Sequence, residues 1–135
     1  LVSNHTKNHK NLSLSGEEEI LRNLTALEKL YEEKTGMQME KYFRFPEGSY
    51  SINALKILKK LGYKTIFWSF AYEDWDNNNQ PNPKYAFKKI IDNTHNGAVF
   101  LFHPTSATNL AVFPGLIDEW RKNGYSFGTL DELTK

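Results

Sequence analysis

The apolar positions of the chain alternate between two spacings. Spacings of three and four residues, which predict amphipathic helices, recur in segments that begin near Ser15, Ser51, Pro83 and Ala111. Short, nearly continuous apolar runs, typical of strands buried on both faces, occur at residues 42–45, 65–70, 98–102 and 125–127. Helices and strands in the order αβαβαβαβ predict an α/β chain with a parallel sheet or a (β/α) barrel.

Serine and glycine residues mark the predicted helix ends. Ser15 and Glu18 have the spacing of a capping box at the start of the first helix, and Gly36 ends that helix. Ser51 is the predicted N-cap of the second helix, and Gly62 is its predicted C-cap.

Polar side chains of catalytic types occur at or just after the C-terminal ends of the predicted strands. These residues are His5, which follows a strand end predicted at residues 1–4, and Arg44, Asp74 and His103. Parallel strands end at a common rim, where α/β folds build their active sites. The sequence therefore predicts an active site made from segments that are far apart along the chain.

His5 and His9 form an H-[ST]-x-x-H pattern, which would place both rings on one face of a helix or helical turn. Two imidazoles so placed can bind one divalent cation such as Zn²⁺. A catalytic zinc site needs a third protein ligand, expected here to be a carboxylate. Two surface histidines in a loop would give the same pattern.

The next two motifs are Arg44 to Gly48 and Asp74-Trp75. Arg44 is predicted to hold a catalytic carboxylate by a bidentate pair, although a structural salt bridge would use the same residue type. Pro46 and Gly48 predict a tight turn that opens a cleft. Asp74 can hydrogen-bond an imidazole and favour its charged form, or cap a helix. Trp75 can line a pocket or stack on a sugar, or be half-buried without a function.

His103 ends an apolar run and is followed directly by Pro104, which ends the predicted strand. We expect His103 to act as a general acid, with Leu101 on the same side of the strand as a hydrophobic wall. A histidine in the core with its hydrogen bonds satisfied is the alternative.

Charge and composition narrow the range of partners. The chain has 17 basic and 16 acidic residues without a basic stripe, which argues against nucleic acid or an anionic membrane. It has no cysteine, and its longest apolar stretch is too short to span a bilayer. Its nine Phe, seven Tyr and three Trp suit a sugar-binding cleft, but core packing would also account for them.

The motifs together resemble those of the polysaccharide deacetylases of carbohydrate esterase family 4. His5 to His9 is similar to the family's second motif, whose histidines bind the metal. Arg44 to Gly48 is similar to the third motif, whose arginine orients the catalytic base. Asp74-Trp75 resembles the fourth, in which the aspartate tunes the catalytic histidine and the tryptophan lines the pocket. Leu101 to His103 resembles the fifth, in which the leucine contacts the acetyl methyl group and the histidine acts as acid.

The resemblance implies a divalent metal cofactor, Zn²⁺ or else Co²⁺, Mn²⁺ or Ni²⁺, and an oxyanion held with help from a backbone N–H near Tyr50. Residues 67–75 and 97–103 are similar in particular to the peptidoglycan N-acetylmuramic acid deacetylases, which serve δ-lactam formation in spore cortex. This implies a peptidoglycan substrate and an extracellular or cell-wall location in a bacterium. A chitin-like or other acetylated glycan, and a non-catalytic glycan-binding module, stay open as alternatives.

One family motif has no counterpart in the chain. The first motif carries the catalytic base and the third metal ligand on an Asp-Asp pair, and no Asp-Asp pair occurs here. We therefore expect residues 1–135 to be the C-terminal portion of one catalytic domain, a partial distorted (β/α)7 barrel that lacks its N-terminal strands. We expect this chain alone to be inactive, and either to form a homodimer through an unpaired sheet edge or to rearrange its N-terminus.

Overall fold

The computed structural model describes all 135 residues and shows an α/β chain with a parallel sheet of three short strands. The strands are β1 (Ser3–Asn4), β2 (Glu40–Phe43) and β3 (Lys64–Thr65), in the sheet order β1-β2-β3. The helices are α1 (Glu17–Thr35), α2 (Ile52–Lys60), α3 (Pro83–Asp92), α4 (Ala107–Lys122) and α5 (Leu130–Leu133). None of them combines the length and the apolar character needed to cross a membrane. The prediction of an α/β chain with parallel strands is confirmed.

The chain divides into two compact units, Leu1–Phe67 and Trp68–Lys135. The first unit contains the sheet, and α1 and α2 are the crossover helices between its parallel strands. Its core consists of buried apolar residues from the helices, β2 and the connecting segments: Leu12, Ile20, Leu24, Phe43, Phe45, Ala54, Ile57, Leu58 and Tyr63. Because β2 ends at Phe43, Arg44 lies just past the C-terminal end of the central strand.

The helix ends of the first unit follow the predictions in part. Gly36 ends α1 in the left-handed conformation, with φ of 70°, and its N–H donates to the carbonyl oxygen of Glu32 at 2.8 Å. The predicted capping box at Ser15 is wrong, because Gly16 is the N-cap of α1 and no side chain caps it. Ser51 caps α2 as predicted, and its side chain accepts from the N–H of Ala54. The C-cap of α2 is Leu61, one residue before the predicted glycine.

The second unit is built mainly on the packing of α3 against α4. Its core consists of Phe70, Tyr72, Ala86, Ile90, Val112, Leu116 and Trp120. The strands predicted at residues 65–70 and 98–102 are reduced to β3 and an isolated parallel bridge between Phe70 and Phe100. The strand predicted at 125–127 does not form. An apolar run indicates burial, whereas a strand also requires a neighbour that pairs with its backbone.

The last long helix begins earlier than its apolar spacing predicts. The helix α4 starts at Ala107 and not near Ala111, because the side chain of Ser106 accepts from the N–H of Asn109 and caps the helix there. The polar run that precedes Ala111 is therefore the first turn of α4, and it brings Asn109 into the buried part of the second unit.

Candidate active site

The two histidines of the predicted metal motif lie in the loop that follows β1, residues 5–10, and not on a helix. Two residues of this loop, Thr6 and His9, have left-handed backbone angles, with φ of 64° and 53°. These angles are incompatible with a right-handed helix, so the predicted helical face is wrong. The loop still brings the rings together, since the centroids of His5 and His9 are 4.9 Å apart and the ring planes lie at 82°.

The start of this histidine loop is held by Asn4, whose side chain is buried. Its amide nitrogen donates to the carbonyl oxygen of Leu24 in α1 at 3.1 Å, and its amide oxygen accepts from the N–H of Thr6 at 3.0 Å. The hydroxyl of Thr6 accepts in turn from the N–H of Lys10 at 2.9 Å. The sequence analysis missed Asn4, although an asparagine before a turn is a known signal of such side-chain bonding.

The ring of His5 is fixed by a backbone carbonyl. Its Nδ1 lies 2.7 Å from the carbonyl oxygen of Arg44. Because a carbonyl oxygen only accepts, Nδ1 carries the proton, and in the neutral ring Nε2 then has the lone pair. A histidine whose second nitrogen donates to a carbonyl or carboxylate is the usual arrangement of a metal ligand.

The ligand chemistry of this loop fits two positions of a divalent metal site. Two neighbouring imidazoles suit Zn²⁺ and similar borderline cations. No group of three His, Cys, Asp or Glu side chains in the structure is arranged to hold a metal ion. His5 and His9 therefore match part of a catalytic zinc site, which has three protein ligands and one open position.

Arg44 and the turn after it occupy the C-terminal end of β2. The Arg44 side chain is half-buried, and desolvation lowers the pKa of its guanidinium, because burial disfavours the charged form. None of the ion pairs in the structure involves Arg44, so its predicted carboxylate partner is not among them.

Pro46–Gly48 forms the predicted turn, with φ of 59° at Glu47, and the exposed Tyr50 follows it.

The second unit brings Asp74 and His103 together. The carboxylate of Asp74 is fully buried, and its Oδ1 lies 2.7 Å from Nδ1 of His103. Its Oδ2 accepts from the backbone N–H of His103, also at 2.7 Å. The carboxylate thus holds both the main chain and the ring of the same histidine. An ionised carboxylate only accepts, so Nδ1 carries a proton and Nε2 is the nitrogen available for proton transfer.

The predicted substrate-binding residues of this unit flank the Asp74–His103 pair. The indole of Trp75 packs edge-on to the imidazole of His103, with 6.2 Å between ring centroids, and 57% of Trp75 is exposed. Leu101 is half-buried, and its N–H donates to the carbonyl oxygen of Phe70 at 3.0 Å beside the isolated bridge. An exposed indole next to a candidate acid can stack on a sugar ring.

Two polar residues that the sequence analysis missed also contact Asp74. Asn109 donates to Oδ2 of the carboxylate, and Gln80 donates to the backbone carbonyl oxygen of Asp74 at 3.1 Å. Both residues lie in polar runs that the apolar pattern marks only as loops. Their partners are 35 and 6 residues away along the chain, so no local spacing rule relates them to Asp74.

The histidine loop, Arg44 and the turn after it lie in the part of the chain that matches a known protein family. Residues 1–66, which include the histidine loop, Arg44 and the turn at Pro46–Gly48, match the family model for polysaccharide deacetylase. The resemblance predicted from the sequence motifs is therefore confirmed over these residues.

Individual relatives match almost the whole chain. The peptidoglycan-N-acetylmuramic acid deacetylase PdaA of Bacillus subtilis is 36% identical over 133 residues, which is 98% of this chain and 51% of PdaA. The solved structure of B. subtilis PdaA, a family 4 carbohydrate esterase, matches with a TM-score of 0.92 over 98% of this chain and 57% of that one. A family 4 pseudoenzyme from Bacillus anthracis matches at 26% identity with a TM-score of 0.86, over 99% of this chain and 46% of that one. The chain spans about half the length of the curated relatives that it matches.

Proposed function

We propose that this chain belongs to a metal-dependent deacetylase that removes acetyl groups from the amino sugars of peptidoglycan, with N-acetylmuramic acid as the preferred residue. The observation that carries the proposal is the buried hydrogen bond between Asp74 and His103, which gives the imidazole one defined tautomer. The similarity to B. subtilis PdaA over 98% of the chain supports the reaction class. It also supports a location outside the cell or at the cell wall.

The histidine loop is the proposed metal site, with His5 and His9 as two of the ligands. A divalent cation bound there, Zn²⁺ or else Co²⁺, Mn²⁺ or Ni²⁺, supplies Lewis-acid polarisation of the acetamide carbonyl. The bond from His5 Nδ1 to the carbonyl oxygen of Arg44 directs Nε2 to the role of ligand. The backbone N–H near Tyr50 is the proposed donor to the developing oxyanion.

His103 is the proposed general acid. In its charged form, Nε2–H donates its proton to the departing sugar nitrogen while Nδ1–H stays bonded to Asp74. A water molecule adds its oxygen to the acetyl carbon and loses a proton to the catalytic base, the C–N bond of the acetamide breaks, and the products are acetate and a free amino sugar. Trp75 and Leu101 are the proposed substrate contacts of the second unit, and the turn at Pro46 and Gly48 is the proposed substrate contact of the first.

The catalytic base is proposed to lie outside this chain. The chain contains no Asp-Asp pair, and the half-buried guanidinium of Arg44 has no carboxylate partner in the ion pairs of the structure. An aspartate that pairs with Arg44 and an aspartate that completes the metal site would account for both observations. On this proposal residues 1–135 are the C-terminal portion of a distorted (β/α)7 barrel and are inactive alone.

Acetate release tests the proposal. Peptidoglycan is incubated with Zn²⁺ and either this chain or a version extended upstream through an Asp-Asp segment. We expect acetate release by the extended protein alone, with loss of release on His103→Gln. The matched control is His95→Gln, an exposed histidine of the same unit. Absence of release by the extended protein on peptidoglycan and on chitin oligomers would contradict the proposed reaction.

A second candidate function is a glycan-binding module without catalysis. The match to the B. anthracis pseudoenzyme at 26% identity favours this alternative. It predicts that the extended protein sediments with insoluble peptidoglycan but releases no acetate. This chain without the extension tests the proposed homodimer, since β1 is an edge strand of its three-stranded sheet. Sedimentation velocity of this chain as a monomer at high concentration would contradict pairing through that edge.

A further inference from the structure

The buried side chain of Asn109 contacts both members of the Asp74–His103 pair. Its amide nitrogen donates to Oδ2 of Asp74 at 2.6 Å and to the carbonyl oxygen of His103 at 3.1 Å. Its amide oxygen accepts from the hydroxyl of Tyr72. Both amide hydrogens and the amide oxygen are therefore used. Because the two partners of the nitrogen can only accept, the amide has one possible orientation.

We propose that Asn109 is a positioning residue for His103. It holds the carboxylate of Asp74 in place, and that carboxylate holds the imidazole of His103. With Oδ2 held by Asn109 and by the N–H of His103, the carboxylate cannot rotate about its Cβ–Cγ bond without breaking two bonds. This leaves Oδ1 in place to accept from the imidazole. The link from this positioning to catalysis rests on the proposed function, whereas the positioning itself does not.

The backbone around Asn109 is anchored to the loop that carries Asp74. The N–H of Asn109 donates to the hydroxyl oxygen of Ser106, and that hydroxyl donates to the side-chain oxygen of Gln80 at 2.6 Å. The side-chain nitrogen of Gln80 donates to the backbone carbonyl oxygens of Asp74 and Asp76. The start of α4 and the Asp74 loop are thus joined by side-chain bonds in addition to the amide of Asn109.

Tyr72 is the donor to the amide oxygen of Asn109. Tyr72 is 3% exposed, and burial, followed by the negative charge of Asp74, raises its pKa to about 12. The hydroxyl therefore keeps its proton throughout the range in which a deacetylase would act, and it can donate to the amide oxygen of Asn109. Thr108, which precedes Asn109 in α4, is as buried as Tyr72. Its hydroxyl donates to the carbonyl oxygen of Pro81, and its side chain makes no hydrogen bond to Asp74.

The test measures the His103 ring directly in this chain. Nuclear magnetic resonance of ¹⁵N-labelled histidine reports which ring nitrogen carries the proton and how fast that proton exchanges with water. Asn109→Leu removes the amide and keeps the branched arrangement of heavy atoms, and Thr108→Val is the control that removes another buried hydrogen bond of the same helix. We expect exchange of the His103 Nδ1 proton to be about 10- to 100-fold faster in Asn109→Leu, the range of one hydrogen bond to a buried charge. Thr108→Val leaves the exchange rate unchanged.

The proposal is overturned if the His103 Nδ1 proton exchanges at the same rate in folded Asn109→Leu as in the unsubstituted chain. It is also overturned if Thr108→Val accelerates this exchange as much as Asn109→Leu does. If Asn109→Leu does not fold, Asn109→Ala decides, since it removes the donor to Oδ2 of Asp74 without adding bulk. Faster exchange in that variant supports the positioning role, and an unchanged rate overturns it. In an active extended protein, Asn109→Leu should lower kcat and leave KM unchanged. An extended protein without activity refutes the proposed function, but the exchange rates still decide the role of Asn109.

Discussion

Replacement of Asp74 by asparagine tests the hydrogen-bond arrangement around His103. The carboxylate accepts three bonds, from Nδ1 of His103, from its backbone N–H and from the amide of Asn109. Asparagine keeps the shape but turns one acceptor atom into a donor. If the new NH₂ group occupied the Oδ2 position, it would face two N–H donors. At the Oδ1 position it faces only the imidazole, so we expect the amide to adopt that orientation.

This orientation has a consequence for the tautomer of His103. The new NH₂ donates to Nδ1, which must then be an acceptor, so the proton moves to Nε2 in the neutral ring. The two bonds at Oδ2 survive as neutral bonds. Neutral bonds are roughly half as strong as charge-assisted ones, which for three bonds amounts to about 2–4 kcal/mol of lost stability. Removal of a buried charge returns part of this loss.

Thermal unfolding and ¹⁵N resonance of the histidine ring measure the two effects. We expect the melting temperature of Asp74→Asn to fall by about 4 °C for each kcal/mol lost. We expect the His103 ring to change from the Nδ1–H to the Nε2–H tautomer. Asp76→Asn, at an exposed aspartate of the same loop, is the matched control and should change neither quantity. A folded Asp74→Asn variant that retains the Nδ1–H tautomer would refute this reasoning.

Three further predictions concern the stability of the chain. Leu116→Ala removes a side chain that is 0% exposed and should cost about 2–5 kcal/mol in chemical denaturation. On the same helix, Leu110→Ala, at a residue that is 81% exposed, should cost less than about 0.5 kcal/mol; equal losses would contradict the assigned core. Gly36→Ala should cost about 1 kcal/mol through its φ of 70° alone, because an added Cβ meets nothing within 4 Å; an unchanged melting temperature would contradict the left-handed cap. Tyr72 has an ordinary pKa of 10.0 that the fold raises to about 12, so stability should hold up to about pH 10 and fall as pH rises further. In a series of melting temperatures against pH, Tyr72→Phe should show a smaller fall but not lose it, because burial also raises the pKa of Tyr63.

The sequence predicts the positions of polar residues at strand ends better than it predicts the strands themselves. The position of Arg44 after a strand and the caps at Gly36 and Ser51 follow from local rules, and all are present. The apolar runs at 98–102 and 125–127 do not form strands, because pairing depends on backbone neighbours that a run of side chains does not specify. Local pattern therefore predicts where an element ends more reliably than whether it pairs.

The candidate site shows the same division between local and distant information. The motif residues His5, Asp74 and His103 are recognisable because their residue types carry chemistry. Asn4 and Asn109, which hold those residues in place, bond to partners 20 and 35 residues away. The bonds that these asparagines make to distant partners have no signature in a single sequence. The residues that position the site therefore required the structure.

The two functional histidines are held by acceptors of different charge, and this difference fits their proposed roles. Nδ1 of His5 donates to a neutral carbonyl oxygen, and Nδ1 of His103 donates to a carboxylate, each at 2.7 Å. Both bonds select Nε2 as the reactive nitrogen, but only the carboxylate also stabilises a charged imidazolium. A metal ligand must be neutral to offer its lone pair, whereas a general acid must carry a proton that it can give up. If the carbonyl and carboxylate acceptors were swapped, His5 would no longer suit the proposed role of metal ligand and His103 would no longer suit that of general acid. Each histidine would still have a bonded Nδ1.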